Sequence, residues 1–438
     1  MLLLCGSAIG APPAILVTVG DVTETSAVVW MRGLHPGLLV LEHGQGGAAS
    51  ASSTPVSLAP DGDLTAKVAL RGLTPHTRYT YRLRQDTEVV DGEFATAPPP
   101  DLPARVSFLW SGDLGSGQAC RHVRDGYPIF REMERRGADF FLFVGDTIYA
   151  DSGCGGPDRV PGYDFVATTL GGFRDKHRYN REDAAVQAFY RRLPVYAIWD
   201  DHEVRNDFAG PEEPLMPLGR RAFLDYWPID PPAEEPGRLY RRFRWGKLLE
   251  VFILDTRQYR SPNREPDGPR KTMLGATQRR WLVDGVSSST AVWKVIVTSV
   301  TLSVPGRPTA RDGWSNASVF GLPDPAGTGF AVERDLILRE LKARRVRNLM
   351  FVAADVHHAE VIVHRPASGF RFHELIAGPL SAAFGFPRPL DEALHPRSLF
   401  SATDVNNFGE VTVDASGTTV RILAEDGREL FSYSIRPE

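Results

Sequence analysis

Apolar and polar positions alternate with a period of two over most of the first hundred residues. "AILVTVGDV", "SAVVWMRG", "LLVLEHG", "TAKVALRG", "TRYTYRLRQ" and "EVVDGEFAT" are short runs of this kind separated by turn residues. They predict the half-buried antiparallel strands of a β-sandwich. The proline-rich stretch "ATAPPPDLPAR" then reads as a linker. Beyond it the apolar runs become continuous: "VSFLW", "FFLFV", "VYAIW", "LEVFIL", "WKVIVTSV" and "LMFVAA". Runs of this length suit strands of a sheet covered on both faces. "YPIFREMERRG" and "VERDLILRELKARR" carry apolar residues at helical spacing with charges between them, so they should supply the cover. The pattern divides the chain into a sandwich over residues 12–98 and a larger α/β domain over residues 105–436.

"LTPHTRYTYRL" adds detail to the first domain. A leucine and a proline a few residues before Tyr79 resemble the tyrosine corner of fibronectin III-like and immunoglobulin-like sandwiches. In this reading Trp30, Tyr79 and Tyr81 belong to the core.

Composition changes the picture little and charge somewhat more. The 438 residues are 42% hydrophobic and 24% charged, as in an ordinary globular protein. A net charge of −4 gives no global attraction to nucleic acid or anionic lipid, so specific nucleic-acid recognition is not expected. An anionic substrate must be held locally, by metal ions or a few arginines. No run reaches the roughly 20 apolar residues of a transmembrane segment. The N-terminal "MLLLCGSAIGAPP" reads either as the end of a longer export leader or as a plain disordered start. Cys5, Cys120 and Cys154 are too few for a disulfide framework. One bridge between Cys120 and Cys154 is open to the chain.

Candidate chemistry lies at the strand ends. "VSFLW" runs into Asp113, "FFLFV" into Asp146 and Tyr149, and "VYAIW" into Asp200, Asp201 and His202. "LEVFIL" runs into Asp255 and Arg257, and "LMFVAA" into Asp355, His357 and His358. Five of six runs thus end in a carboxylate, and ligands of such sheets bind outside the carboxyl ends of the strands. One such acid would be an ordinary turn or helix cap; five imply convergence. Aspartate, histidine and tyrosine are ligands for hard or borderline metals. A bridging carboxylate such as Asp146 suits two ions about 3.5–4 Å apart, the arrangement used to hydrolyse phosphoesters by metal-hydroxide attack. Of the adjacent Asp200 and Asp201 only one can face the ions, and Asp200 is assigned the structural role. Asn206 is the best extra ligand in a loop whose Glu203 and Asp207 suit backbone capping. No G-x-S-x-G elbow or P-loop is present, so the corresponding hydrolase and nucleotide-binding readings lack their motifs.

"GDTIYAD", "WDDHEV" and "ADVHHAE", in that order behind a fibronectin-like domain, resemble the alkaline phosphatase D (PhoD-like) family of calcineurin-like metallophosphoesterases. "FILDTRQYR", "LGATQRRWL" and "WKVIVTSV" extend the resemblance over almost the whole chain from about Ala14. It implies a metallophosphatase domain of αββα-type layered sheets and a binuclear or multinuclear centre of iron(III) plus calcium. By motif, Asp146 would bridge metals, Tyr149 would bind iron, and Asp113, Asp201, Asp355 and His357 would complete the set. His202 would be catalytic. Arg257 would hold phosphate, with Arg205 a further candidate and His358 a further ligand.

One position departs from the family pattern. Members described as iron–calcium enzymes carry a cysteine in the first motif, where this chain has Asp113. Manganese, zinc or an all-calcium site then remain open, as does recruitment of Cys120 from the glycine loop "GDLGSGQAC". The implied activity is release of phosphate from small phosphomonoesters or diesters, phospholipid and nucleotide diesters included. The implied setting is periplasmic, envelope or secreted. The pocket is expected to be shaped by loops Gly153 to Arg174 and Ser303 to Phe330.

Overall fold

A computed structural model describes residues 15–45, 52–366 and 369–438. The apolar N-terminus with Cys5 lies outside them. The first seven strands are β1 (Leu16–Gly20), β2 (Ser26–Arg32), β3 (Gly37–Gln45), β4 (Ser52–Leu58), β5 (Thr65–Arg71), β6 (Arg78–Gln85) and β7 (Glu88–Ala95). They form two layers, β1-β2-β5 and β4-β3-β6-β7. The alternation is plain in β6, where Tyr79, Tyr81 and Leu83 point into the core between exposed neighbours. The hydroxyl of Tyr79 accepts the backbone N–H of Thr74, five residues back, at 2.8 Å.

The larger part opens with β8 (Val106–Ser111), β9 (Phe140–Val144) and β10 (Val195–Ile198), all parallel. β18 (Asn407–Asp414), β19 (Gly417–Ala424) and β20 (Glu429–Ile435) extend this sheet beside β8, each antiparallel to its neighbour. On its other side β1 meets β10, so the three-stranded layer of the sandwich continues a nine-stranded sheet. Gly20 makes that junction possible: a Cβ there would lie 2.3 Å from the carbonyl oxygen of Val195.

A second sheet has the order β11-β12-β13-β14-β16-β15-β17. Its members are β11 (Arg241–Trp245), β12 (Leu249–Ile253), β13 (Trp293–Val297), β14 (Leu349–Ala353), β15 (Ala359–His364), β16 (Phe372–Ile376) and β17 (Pro396–Ala402). The inner faces of the two sheets share one core; Phe140 meets Trp245 with ring centroids 4.8 Å apart, and Tyr196 meets Phe243 at 4.3 Å. In β13 the odd residues Trp293, Val295 and Val297 face that core, while Ile296 turns outward. Outside the second sheet lie α5 (Gly275–Ser288) and α6 (Ala331–Ala343), which bury Leu282, Val286, Ile337 and Leu341 against it. α1 (Ile129–Arg135) and α3 (Ala184–Tyr190) cover the first sheet. Two sheets between helical layers result, with the parallel strands of both ending on one rim. Among the described residues no helix is long and apolar enough to cross a membrane.

Candidate metal centre

Glycines let the strand ends approach one another. A Cβ on Gly112 would sit 2.6 Å from Ala354 Cβ, and one on Gly145 would sit 2.5 Å from Asp200 Cβ. The acids that follow turn sharply: Asp113, Asp146 and Asp355 have φ of 64°, 50° and 69°, and His357 has 57°. Four neighbouring sets present ligand atoms mutually within 4.8 Å: Asp113–Asp146–His357, Asp146–Asp201–His202, Asp200–Asp201–Asp355 and Asp201–Asp207–Asp312. Asp146 and Asp201 each belong to more than one set.

The donors fit metal ions. Both carboxylate oxygens of Asp113 and Oδ1 of Asp201 are buried without a hydrogen-bond partner, a costly state for a carboxylate; the facing basic groups, His357 Nε2 and Arg257 Nη2, stand 3.7 Å from Asp113 Oδ1 and Asp201 Oδ1, beyond hydrogen-bond reach. Burial raises the pKa of Asp113, Asp146 and Asp355, and repulsion from neighbouring acids adds to the shift at Asp146 and Asp355. At Asp201 burial is outweighed by Arg257 and His202, which hold the carboxyl below the ordinary range. The Tyr149 hydroxyl lies 3.0 Å from His357 Nε2. Burial, then Asp146 and Asp113, push this phenol well above its usual pKa, so only a strong positive charge would ionise it.

His202 receives support from a residue that sequence reasoning passed over. Its Nδ1 lies 2.7 Å from Asp151 Oδ1, which fixes the ring and leaves Nε2 to act. Burial opposes its charge, yet Asp201 and Asp151 raise its pKa to about 9. Glu203 ties two strand ends together: Oε1 accepts the N–H and hydroxyl of Thr147, both at 2.7 Å, and Oε2 accepts the N–H of Asp200 at 2.8 Å.

A cleft of about 270 Å³ includes Asp146, Asp201, His202, Asp355 and His357 in its lining. One wall is Val304 to Arg307 and the other Gly385 to Arg388, joined where Arg388 Nη1 donates to the Pro305 carbonyl at 3.0 Å. The cleft borders the second of the two expected pocket loops and none of Gly153 to Arg174.

Several expected roles need correction. Arg257 is fully buried and its donors are taken: Nε and Nη2 donate to Asp200 at 2.7 and 2.8 Å, and Nη1 and Nη2 donate to Asp312 at 2.6 Å each. It braces the floor and has no fork left for phosphate. Arg205 is 60% exposed, stands 3.8 Å from Glu213, and does not line the cleft. Cys120 is bonded to Cys154 in a disulfide, which removes it from the ligand set. His358 borders the cleft, but its ring nitrogens lie 3.1 Å from the Val356 carbonyl and 3.2 Å from Glu360 Oε2. Asp255 turns inward, accepting from Trp199 Nε1 and the N–H groups of Arg257 and Gln258. Asn206 lines the cleft, with its backbone N–H on Asp151 Oδ2. Asp312, Arg307 and Arg388 had no sequence signal, because each lies in an ordinary-looking loop.

The PhoD-like phosphatase family profile matches residues 113–422. Alkaline phosphatase D of Bacillus subtilis (strain 168) is 27% identical over 399 residues, covering 79% of this chain and 64% of that protein. The chain therefore spans just under two-thirds of that relative's length. Among solved structures, one described as PhoD superposes with a TM-score of 0.77 at 19% identity, over 97% of this chain and 93% of that one. Purple acid phosphatase PPD1 from yellow lupin (Lupinus luteus) seeds gives 0.69 at 14% identity, over 97% of this chain and 75% of that one. At these identities the structural matches speak to the fold alone.

Proposed function

This chain belongs to the PhoD-like phosphatase family, and from that membership we propose that it is a metal-dependent phosphoester hydrolase working in the acid-lined cleft. The observation that carries the reading is the set of buried, unpartnered carboxylate oxygens on Asp113 and Asp201 beside that cleft. Asp113, Asp146, Tyr149, Asp201, Asp355 and His357 would hold the ions. Bound cations would supply Lewis-acid neutralisation of phosphoryl charge and a water nucleophile near neutral pH. Oxygen donors at Asp113, where related enzymes carry a cysteine, favour hard ions; iron(III) with calcium remains the loading implied by the resemblance, with manganese or zinc as substitutes.

The protein's own part can be followed residue by residue. His202 is held by Asp151, and Asp201 and Asp151 favour its charged, proton-carrying form. It would give that proton to the leaving oxygen. Arg307 and Arg388, which line the cleft, would face the phosphate's negative charge. Asp200, Arg257 and Asp312 form a rigid base beneath Asp201. The sandwich over residues 12–98 is read as a fibronectin III-like domain beside the catalytic domain at 105–436. Its three-plus-four strand layers and the Tyr79 hydroxyl contact support this. The disulfide supports an extracytoplasmic setting.

The test is metal analysis and a visible spectrum of unchelated protein, with turnover of a phosphomonoester and a phosphodiester on the same sample. Asp146→Asn should lose bound metal and reduce turnover by on the order of 100-fold or more. An Asp146→Asn variant as active as the parent would refute the assignment.

A further inference from the structure

The exposed aromatic residues of this protein are unevenly placed. Among the described residues only three phenylalanines are exposed, Phe320 (72%), Phe384 (39%) and Phe386 (65%); Phe320 lies in a turn whose Gly321 backs onto the Leu390 carbonyl, two residues past Arg388, and Phe384 and Phe386 lie in the segment beside the candidate cleft. Phe386 lines it directly. Neither segment is loosely held. Gly385 donates its N–H to the His357 carbonyl at 2.8 Å, and a Cβ on Gly385 would lie 2.0 Å from the Val356 carbonyl oxygen. The Phe384–Phe386 segment is thus fixed on the same turn that carries His357. Phe320 sits in a turn closed by the Gly321 N–H on Ser318 O at 2.9 Å. That turn is pinned where the Glu392 N–H meets Gly321 O at 3.0 Å. Leu322, also exposed, lies in the same turn.

Rings fixed in water on ordered backbone, beside a polar cleft, form a surface suited to an apolar ligand group. The remaining wall is also informative. Near Phe386 stand Arg388 and Arg307, suited to an anion, with few neutral donors of the kind that would read a sugar's hydroxyls. We infer that Phe386, with Phe384 and the Phe320 turn, forms a subsite for an apolar substituent of the substrate, so that the cleft prefers phosphodiesters whose second group is an alkyl or aryl chain. The inference rests on the phosphoesterase reading above and narrows its substrate class. The occupant is one substrate molecule, its phosphate at the acid centre and its chain along the phenylalanines.

Diesters of p-nitrophenyl phosphate with methyl, butyl and octyl second groups keep the leaving group constant. They would be assayed with metal-loaded full-length protein below their critical micelle concentrations. Burial of about two of the seven added methylenes on the open phenylalanine surface should raise kcat/KM by about tenfold from methyl to octyl. Phe386→Ser should collapse that octyl-to-methyl ratio toward one, with Phe320→Ser giving a smaller fall. Leu38→Ser, at an equally exposed residue of the sandwich (66%), should leave the ratio as it was. A flat series in the parent, or a ratio untouched by both phenylalanine substitutions, would overturn the subsite. A rise seen only above the micelle threshold would overturn it in favour of docking to a lipid surface. Hydrolysis of p-nitrophenyl phosphate without cleavage of any diester would overturn this inference alone, whereas failure on the monoester and every diester would sink the phosphoesterase reading, and this inference with it.

Discussion

Two adjacent acids, Asp200 and Asp201, should respond to substitution in different currencies. Asp200 accepts from Arg257 at 2.7 and 2.8 Å and from the Ser299 hydroxyl. Asp200→Ala removes one of the two carboxylates hydrogen-bonded to a guanidinium with no exposed surface, which a third, Asp201, attracts from 3.7 Å. Leaving a buried charge wholly unpaired costs about 3–5 kcal/mol. Arg257 keeps its two-point contact with Asp312, at 2.6 Å for both bonds, so the lower end, about 3 kcal/mol, applies. At about 2.1 cal/mol/K of unfolding entropy per residue, a chain of 438 residues would melt about 3 °C lower. Asp201→Asn keeps an acceptor for the Asp207 N–H, which bonds Oδ2 at 2.6 Å. It gives up attraction to Arg257 across 3.7 Å and relieves repulsion with Asp146. The attractions to Arg257 and His202 outweigh that repulsion, which is why the carboxyl titrates below its ordinary range; the metal-free protein should therefore melt below the parent, but by less than Asp200→Ala costs because the Asp207 bond is kept, while its stabilisation by added metal falls sharply. Thermal melts in chelator and then with graded metal separate the two effects. The reasoning fails if Asp200→Ala melts like the parent in chelator and loses only its response to metal. It fails equally if Asp201→Asn costs as much as Asp200→Ala before metal is added.

Two further outcomes concern the scaffold. Cys120 and Cys154 close a loop with a sequence separation of 34, so Cys154→Ser should lower stability by about 3–4 kcal/mol on chain-entropy grounds, read as a shift in the urea midpoint; an unshifted midpoint in the fully oxidised parent and the variant would refute it. His373 is buried, and burial together with Arg371 lowers its pKa from 6.5 to about 4. Between those values the unfolded chain binds the extra proton, so stability is full at neutral pH and falls with acidification, by about 3 kcal/mol at pH 4. His373→Gln should flatten that part of the stability profile, and an unchanged slope from pH 7 to 4 would count against it.

What was legible depended on whether a residue's neighbours are near in sequence. Nine of the sixteen strands in the two large sheets announce themselves through period-two or continuous apolar runs, and α1 and α6 through helical spacing; β11 and β15 to β20 are not among those runs. A further helix, α2 (Leu170–Arg181), gave no such signal, because its buried face includes Lys176, His177, Asn180 and Arg181. These are satisfied by distant partners: Lys176 Nζ donates to the Ser152 and Tyr163 carbonyls, and Arg181 Nη1 to Thr18 Oγ1 at 2.6 Å. The same blindness led to the wrong role for Arg257. An arginine after a strand end looks free until Asp312 arrives from a loop 55 residues later. Strand-end acids were visible as a set, yet Asp255 shows that the position alone does not aim a side chain.

Aiming is done by the backbone. Asp113, Asp146, Asp207, Asp355 and His357 all adopt left-handed φ, between 50° and 69°, at a cost of roughly 1 kcal/mol or more each for residues with a Cβ. Aspartate tolerates this region better than most residues, since its short carboxylate can bond locally. At Asp113 that local compensation is absent, because both oxygens lack partners. Strain and desolvation therefore fall on the same residue, and the protein returns only the attraction of His357, whose Nε2 stands 3.7 Å from Oδ1. A left-handed step just past a strand swings the next side chain out of the pleat, which is how carboxylates from three parallel strands, β8, β9 and β14, come to one rim. Relaxing the step would relieve the strain and bury or scatter the acids, as has happened to Asp255. The backbone thus stores a cost that a cation at the convergence point would offset. The fold and the unpartnered oxygens point to the same cation site by independent routes.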